Sequence, residues 1–141
     1  MNYGYITVAS AIPSVRVADA DYNIKQIESL IAQAEGKGAE IIVFPELSVT
    51  GYSCQDLFAQ QTLLDQTEMK ILQLLDFSRK LDIICIVGAP VCIGTGLYNC
   101  AVVCQHGNIL GIVPKRFLPN YAEFYEKRWF ASADDLDSPI E

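Results

Sequence analysis

Residues 41–53 read IIVFPELSVTGYS, and this stretch constrains the fold more than any other in the chain. Its lead-in, Glu40 to Phe44, is apolar without alternation, the pattern of a parallel strand covered on both faces. Pro45 stops the ladder, Glu46 stands at the strand's exit, and a Thr50-Gly51-Tyr52 turn follows. Desolvating a carboxylate there costs on the order of several kcal/mol, so Glu46 needs a partner or a chemical task.

The flanking elements complete an α/β grammar. Tyr5–Ser10 is a β-branched strand, and Asp21–Glu35 is an amphipathic helix with its stripe on Ile24, Ile27, Ile31 and Ala34. Asp19 or Asp21 can cap its start and Gly36 or Gly38 can end it. A second helix is expected over 62–81, with Leu64, Ile71, Leu74, Leu75 and Leu81 as its stripe. A third strand, 83–87, should end at Gly88-Ala89-Pro90. Then the pattern changes. Runs 97–104 and 109–113 are separated only by Gln105-His106-Gly107-Asn108, which is hairpin spacing. Two βα units followed by an antiparallel pair make a sheet of mixed direction.

Composition narrows the function. Half of the 141 residues are hydrophobic, which supports a core. The net charge of −7 excludes nucleic acid or an anionic membrane as the main partner, since both need clustered Lys and Arg. The longest apolar stretch, 83–93, is too short for the roughly 20 residues of a spanning helix and contains Gly88 and Pro90. No basic region leads into an apolar run at the N-terminus, so a cytoplasmic location is expected. The five cysteines (Cys54, Cys85, Cys92, Cys100 and Cys104) read as free thiols, four of them in or beside apolar runs. Cys100 and Cys104 have a ligand-like gap, but burial in a strand is the better reading. His106, the sole histidine, falls in the hairpin turn and reads as solvated.

Ligands of α/β sheets bind beyond the carboxyl ends of strands. Two charges hold that position, Glu46 after Pro45 and Lys115 after Pro114. They are either solvated loop charges or a Glu–Lys pair in a closed site with shifted acid–base behaviour.

The motifs FPELSVTGY and, 69 residues on from Glu46 to Lys115, PKRFLPNYAEFYEKRWF resemble the nitrilase, or carbon–nitrogen hydrolase, superfamily. Asp56-Leu57-Phe58 after the first motif, and Leu118-Pro119-Asn120-Tyr121 with Phe124-Tyr125-Glu126-Lys127-Arg128 in the second, resemble one branch. That branch is the N-terminal glutamine amidase domain of glutamine-dependent NAD synthetases. The resemblance implies an αββα sandwich with a Glu–Lys–Cys triad. By it, Glu46 matches the base that takes the thiol proton, a step required because a free thiol is mostly protonated at neutral pH. Lys115 matches the lysine that stabilises the oxyanion. Glu123 matches the second glutamate, with Glu126 as the alternative for that role, and Tyr52, Tyr121 and Phe124 match the glutamine pocket. The structural alternative for these aromatics is ordinary loop packing.

The family's nucleophilic cysteine follows the lysine on a later strand, and none of the five cysteines matches it. Residues 1–141 are therefore expected to form the N-terminal portion of one such domain, inactive alone and prone to self-association through exposed apolar surface. The resemblance implies L-glutamine as substrate, no cofactor in this domain, and a synthetase domain of the parent chain that uses ATP with magnesium. It also implies a homo-oligomer. A stand-alone ω-amidase, or a non-catalytic module in which Glu46 and Lys115 form a structural ion pair, remain alternatives.

Overall fold

A computed structural model describes residues 4–136. Met1, Asn2 and Tyr3, at the N-terminus, and Asp137, which ends the acidic stretch Asp134-Asp135-Leu136-Asp137 of the sequence, lie outside the described residues. Five strands form one mixed sheet in the order β1 (Val8–Ser10), β2 (Ile41–Val43), β3 (Ile84–Ile93), β4 (Gly96–Gln105) and β5 (Asn108–Pro114). The first three run parallel, and β4 and β5 are antiparallel to their predecessors. β5 therefore points the same way as β2, so Pro45-Glu46 and Lys115 leave the sheet at one end.

Helices α1 (Ala20–Gly36) and α2 (Gln61–Ser78) lie together on one face. The Asp19 carboxylate caps α1 by accepting from the Tyr22 N–H, and Lys37 with Gly38 at positive φ close it. Ile24, Ile27 and Ile31 pack with Ile71 and Leu74 onto Ile42, Cys85, Val87, Val102 and Cys104. The stripe of α2 differs from the expected one. Leu63, Thr67, Ile71, Leu74 and Ser78 face inward, and the helix stops at Ser78 rather than Leu81. Thr67 tolerates this because its hydroxyl returns to the Leu63 carbonyl (2.8 Å).

One other expectation fails. β3 does not end at Gly88 but runs on to Ile93, paired along its length with β4 through a Gly94-Thr95 turn. Only one face of the sheet is covered among the described residues, in line with the apolar surface expected of such a portion. Val8, Val43 and Val113, aligned by register with Ile41, Ile84, Ile86, Val103 and Ala101, stay partly or largely open on the other. The apolar run of β2 has the character of a doubly covered strand without a second layer in the described chain. The β4–β5 hairpin turns on two residues at positive φ, His106 and Gly107, the geometry of a type I′ turn.

Candidate active site

The loop after β2 is built to present Glu46. Phe44 N–H bonds back to Ile86 O (2.9 Å), and the chain then turns tightly over β3, with Ser48 N–H on Pro45 O (3.2 Å) and Gly51 N–H on Leu47 O (2.7 Å). Leu47 takes a positive φ of 51° in this turn yet is fully buried, so packing holds a backbone that sterics disfavour. β3 grips the loop through Val49 N–H on Gly88 O (3.1 Å) and Ser48 Oγ, which accepts from Gly88 N–H (3.2 Å). On the helix side, buried Asn23 of α1 donates to Val49 O (3.0 Å) and Arg16 O (2.8 Å) and accepts from Arg16 N–H. A second small core of Leu47, Cys54, Phe58, Leu63 and Phe130 lies under these loops.

Lys115 arrives from β5. Its N–H bonds to Asn99 O (2.8 Å) on β4, and the alternation of side chains places Asn99, Ala101, Val113 and Lys115 on the open face. Lys115 Nζ donates to Glu46 Oε1 (2.6 Å) and to both oxygens of Glu126 (3.0 and 2.9 Å). Asn99 Nδ2 donates to the same Glu46 oxygen. Glu46 Oε1 is thus doubly held, while Oε2 has no hydrogen bond among the described residues. The Glu46 side chain is 41% exposed, that of Lys115 28% and that of Glu126 1%. One carboxylate is buried behind the lysine, and the other is partly open to solvent.

The sequence-predicted residues divide. Glu46 and Lys115 are brought into contact. Glu126, rather than Glu123, is the second carboxylate on the lysine, and Glu123 sits exposed at the rim of a neighbouring cleft. The reason is local: Ala122 adopts a positive φ and Phe124 N–H bonds to Tyr121 O, a turn that faces Glu123 outward before the 3-10 turn Glu126–Arg128. Tyr52 donates its hydroxyl to Glu126 Oε1 (2.7 Å). Tyr52 and Phe124 line that cleft, of about 520 Å³, with Asp56, Arg128 and Trp129. Tyr121 is largely exposed and meets Phe124 edge-on, ring centroids 5.7 Å apart.

Asn99 was missed, although a lone amide inside the apolar run 97–104 is a signal, since buried amides require partners. Gly88, which carries the Glu46 loop, was read only as a strand end.

The electrostatics follow from this packing. Desolvation pulls the Lys115 ammonium down, but hydrogen bonds to Glu46 and Glu126, with their charges, outweigh it and leave the lysine above its ordinary value. Burial raises the Tyr52 phenol well above the usual range, and its bond to Glu126 raises it further, so Tyr52 is a donor here and not a base. Cys54, Cys85, Cys100 and Cys104 are buried. The Cys54 thiol donates to Thr50 O (3.2 Å) and burial pushes it up; burial also pushes Cys100 up to about 12. Exposed Cys92 lines clefts beside α2, away from Glu46. Exposed His106 meets Asp82 (3.0 Å). Among the described residues no cluster of His, Cys, Asp or Glu is arranged to hold a metal, and no helix is long and apolar enough to cross a membrane.

Known proteins are similar to this chain in sequence and fold. A glutamine-dependent NAD(+) synthetase from Mycobacterium tuberculosis is 38% identical over 132 residues, 94% of this chain and 19% of its own. The chain thus spans about a fifth of the length of such relatives. The crystal structure of a glutamine-dependent NAD(+) synthetase from Cytophaga hutchinsonii superposes with a TM-score of 0.85 at 31% identity, over 90% of this chain and 22% of that one. An amidase of the nitrilase superfamily from Nesterenkonia shares the fold, with a TM-score of 0.79 at 24% identity over 91% of this chain and 48% of that one. The carbon-nitrogen hydrolase family profile matches residues 7–140, and the chain belongs to that family.

Proposed function

We propose that this chain supplies the base and the oxyanion-binding lysine of a glutamine amidase. Its ammonia would pass to a synthetase domain of the parent chain, which converts deamido-NAD to NAD with ATP and magnesium. The observation that supports the proposal is Lys115 held between partly exposed Glu46 and buried Glu126 at the end of the sheet where β2 and β5 exit. The names of the relatives support the glutamine and NAD part.

In this reading Glu46 Oε2 accepts the proton of a cysteine thiol as sulfur attacks the side-chain amide carbon of glutamine. The Lys115 ammonium stabilises the developing oxyanion, being fixed in place before the reaction by two carboxylates. The proton taken by Glu46 then goes to the leaving nitrogen, ammonia departs, and water hydrolyses the thioester to glutamate. Four of the thiols are buried, and none of the five cysteines matches the nucleophile of the family that the chain resembles, so we place that nucleophile in a part of the parent chain outside residues 1–141. Residues 1–141 would then be the N-terminal portion of the amidase domain, Tyr52, Tyr121 and Phe124 its glutamine-side aromatics, and the assembly a cytoplasmic homo-oligomer.

Ammonia release from glutamine is to be measured on the full-length protein with and without ATP and deamido-NAD, beside a Glu46→Gln variant. Hydrolysis abolished by the substitution and coupled to NAD formation is expected. Hydrolysis indifferent to both nucleotides would indicate a stand-alone amidase, and none at all would leave a structural Glu–Lys pair.

A further inference from the structure

The 3-10 segment Tyr52–Ala59 is kinked at Gln55, whose backbone (φ 51°, ψ −130°) is one that side-chain-bearing residues rarely adopt. The residue after this kink, Asp56, meets three donors from the far end of the chain. Arg128 Nε and Nη2 reach its two carboxylate oxygens as a fork (2.7 and 2.9 Å), and Trp129 Nε1 reaches Oδ1 (2.9 Å). All three come from the turn that carries Glu126. Two further ties join the same pair of segments: the Tyr52 hydroxyl on Glu126, and Phe58 packed against Trp129 and Phe130 at centroid distances of 6.1 and 4.9 Å.

We infer that Asp56 is a positioning residue, a latch that locks the Tyr52 segment to the 126–130 turn and thereby holds Glu126 against Lys115. The geometry excludes two simpler roles. Asp56 lines the cleft, but its oxygens are already taken by protein donors, so it is poorly suited to bind a ligand there. As an exposed ion pair it adds little to global stability, since solvent screens the Asp56 and Arg128 charges. What it supplies is register. Among the described residues the segment from 119 to 130 pairs with no strand: its backbone bonds are turns within itself, such as Phe130 N–H on Glu126 O, and the backbone ties to the sheet come just after it, Ala131 N–H on Leu97 O and Ala133 N–H on Lys115 O. A fork plus an indole N–H fixes both the distance and the rotation of the residues just after Glu126. The strained Gln55 backbone is retained because it aims Asp56 at that turn.

The latch rests on the amidase reading for its chemical consequence and on the contacts alone for its existence, and its test separates the two. Lys115 is faced by Glu46 from the β2 exit, by Glu126 from the turn and, through Glu126, by Tyr52; Asn99 of β4 is neutral. Loosening Glu126 therefore removes one of two carboxylates from the ammonium. Nitrogen-15 NMR of lysine side chains, with Lys115 identified by loss of its signal in Lys115→Arg, gives its titration in the intact protein and in Asp56→Ala and Arg128→Gln. Asp76→Ala, which breaks the exposed pair with Arg79, is the control. Both latch variants are expected to lower the Lys115 pKa by roughly half a unit or more, and the control to leave it unchanged. The Trp129 indole signal, assigned by Trp129→Phe, should move in both latch variants. If Trp129 moves while Lys115 titrates as before in both, Asp56 holds only its own neighbours and the latch is wrong. Arg128→Gln cuts the same contact from the other side should Asp56→Ala fail to fold. Glutamine hydrolysis is read separately. A shifted Lys115 in a protein without hydrolysis overturns the amidase reading and leaves the latch standing. An unshifted Lys115 overturns the latch whatever the activity.

Discussion

Gly88 of β3 lies directly beneath the peptide backbone of Glu46. A Cβ on Gly88 would come within 2.3 Å of Leu47 N, 2.7 Å of Pro45 O and 2.8 Å of the Glu46 carbonyl carbon, all of them backbone atoms that cannot swing aside. Gly88→Ala is therefore expected to displace the loop and destabilise the fold by about 2 to 3 kcal/mol, as over-packing against fixed atoms does. Urea unfolding measures the loss. Gly111→Ala, where a Cβ meets nothing within 4 Å, is the control and should cost well under half of that.

Asn99 helps fix which oxygen of Glu46 is left without a hydrogen bond among the described residues. With Asn99 and Lys115 both on Oε1, Oε2 remains for proton transfer. Asn99→Ala frees the carboxylate to rotate, and, on the proposed amidase reading, a fall in kcat of roughly tenfold to a hundredfold with a smaller change in KM is expected in the full-length protein. Stability should drop by about 1 to 2 kcal/mol, the usual cost of a lost side-chain hydrogen bond at a buried site. An unchanged kcat would show that Lys115 alone orients Glu46.

The two candidate second glutamates make opposite predictions. Glu126 is buried, bonds Lys115 through both oxygens and accepts from Tyr52, so Glu126→Ala leaves a lysine and a phenol short of a partner. A cost of about 3 kcal/mol is expected from breaking a buried charge pair. Glu123→Ala, on the exposed rim, should stay within about 0.5 kcal/mol of the parent. Thermal or urea denaturation of the two variants side by side decides between them.

The pH dependence follows from the direction of the Lys115 shift. Its pKa is raised above the ordinary 10.5, so its contribution to stability is complete below that value and is lost as pH climbs through the higher folded value. Stability should fall more steeply in the parent than in Lys115→Met between about pH 10 and pH 12. Asp21 is the acid-side counterpart. The hydrogen bonds from Lys25 and Lys70 hold it down at about 2, so its contribution is present above the ordinary 3.8 and disappears as pH falls toward that lower value.

The regular parts of the molecule were legible because period carries facing. The Ile24, Ile27 and Ile31 stripe and the β4–β5 hairpin follow from spacing, which also narrows the cap to Asp19 or Asp21, of which Asp19 caps. Glu46 and Lys115 stand out as charges directly after strand-ending prolines, but position alone leaves them open to being solvated loop charges, and it is the family resemblance of the two motifs that pairs them. The failures share a cause in tertiary context. Gly88-Ala89-Pro90 reads as a stop, yet beyond Ile86 the one described strand beside β3 is β4. Half of its N–H groups then face no strand, and a proline is tolerated. Glu123 and Glu126 could not be told apart because an irregular turn with Ala122 at positive φ has no period to read. The latch on Asp56 joins residues 72 and 73 positions apart, and no local pattern signals such a contact.

The open sheet face gives the last prediction. Val8 at 65%, Val43 at 41% and Val113 at 60% exposure share the open face with Ile41, Ile84, Ile86, Ala101 and Val103, an apolar stretch beside Asn99 and Lys115. Hydration of such a surface is unfavourable by about 25 cal/mol per Å², so an isolated 141-residue chain is driven to bury it against another copy. Sedimentation velocity should show the chain associating, with enhanced fluorescence of an apolar dye at low concentration. Val43→Lys and Val113→Lys place charges in the middle and at the edge of this face without touching the helix-side core. Both are expected to shift the chain toward monomer with little loss of helix by circular dichroism. Association that is indifferent to both lysines would place the contact elsewhere, with the exposed Met69 and Leu72 of α2 as the next surface to substitute.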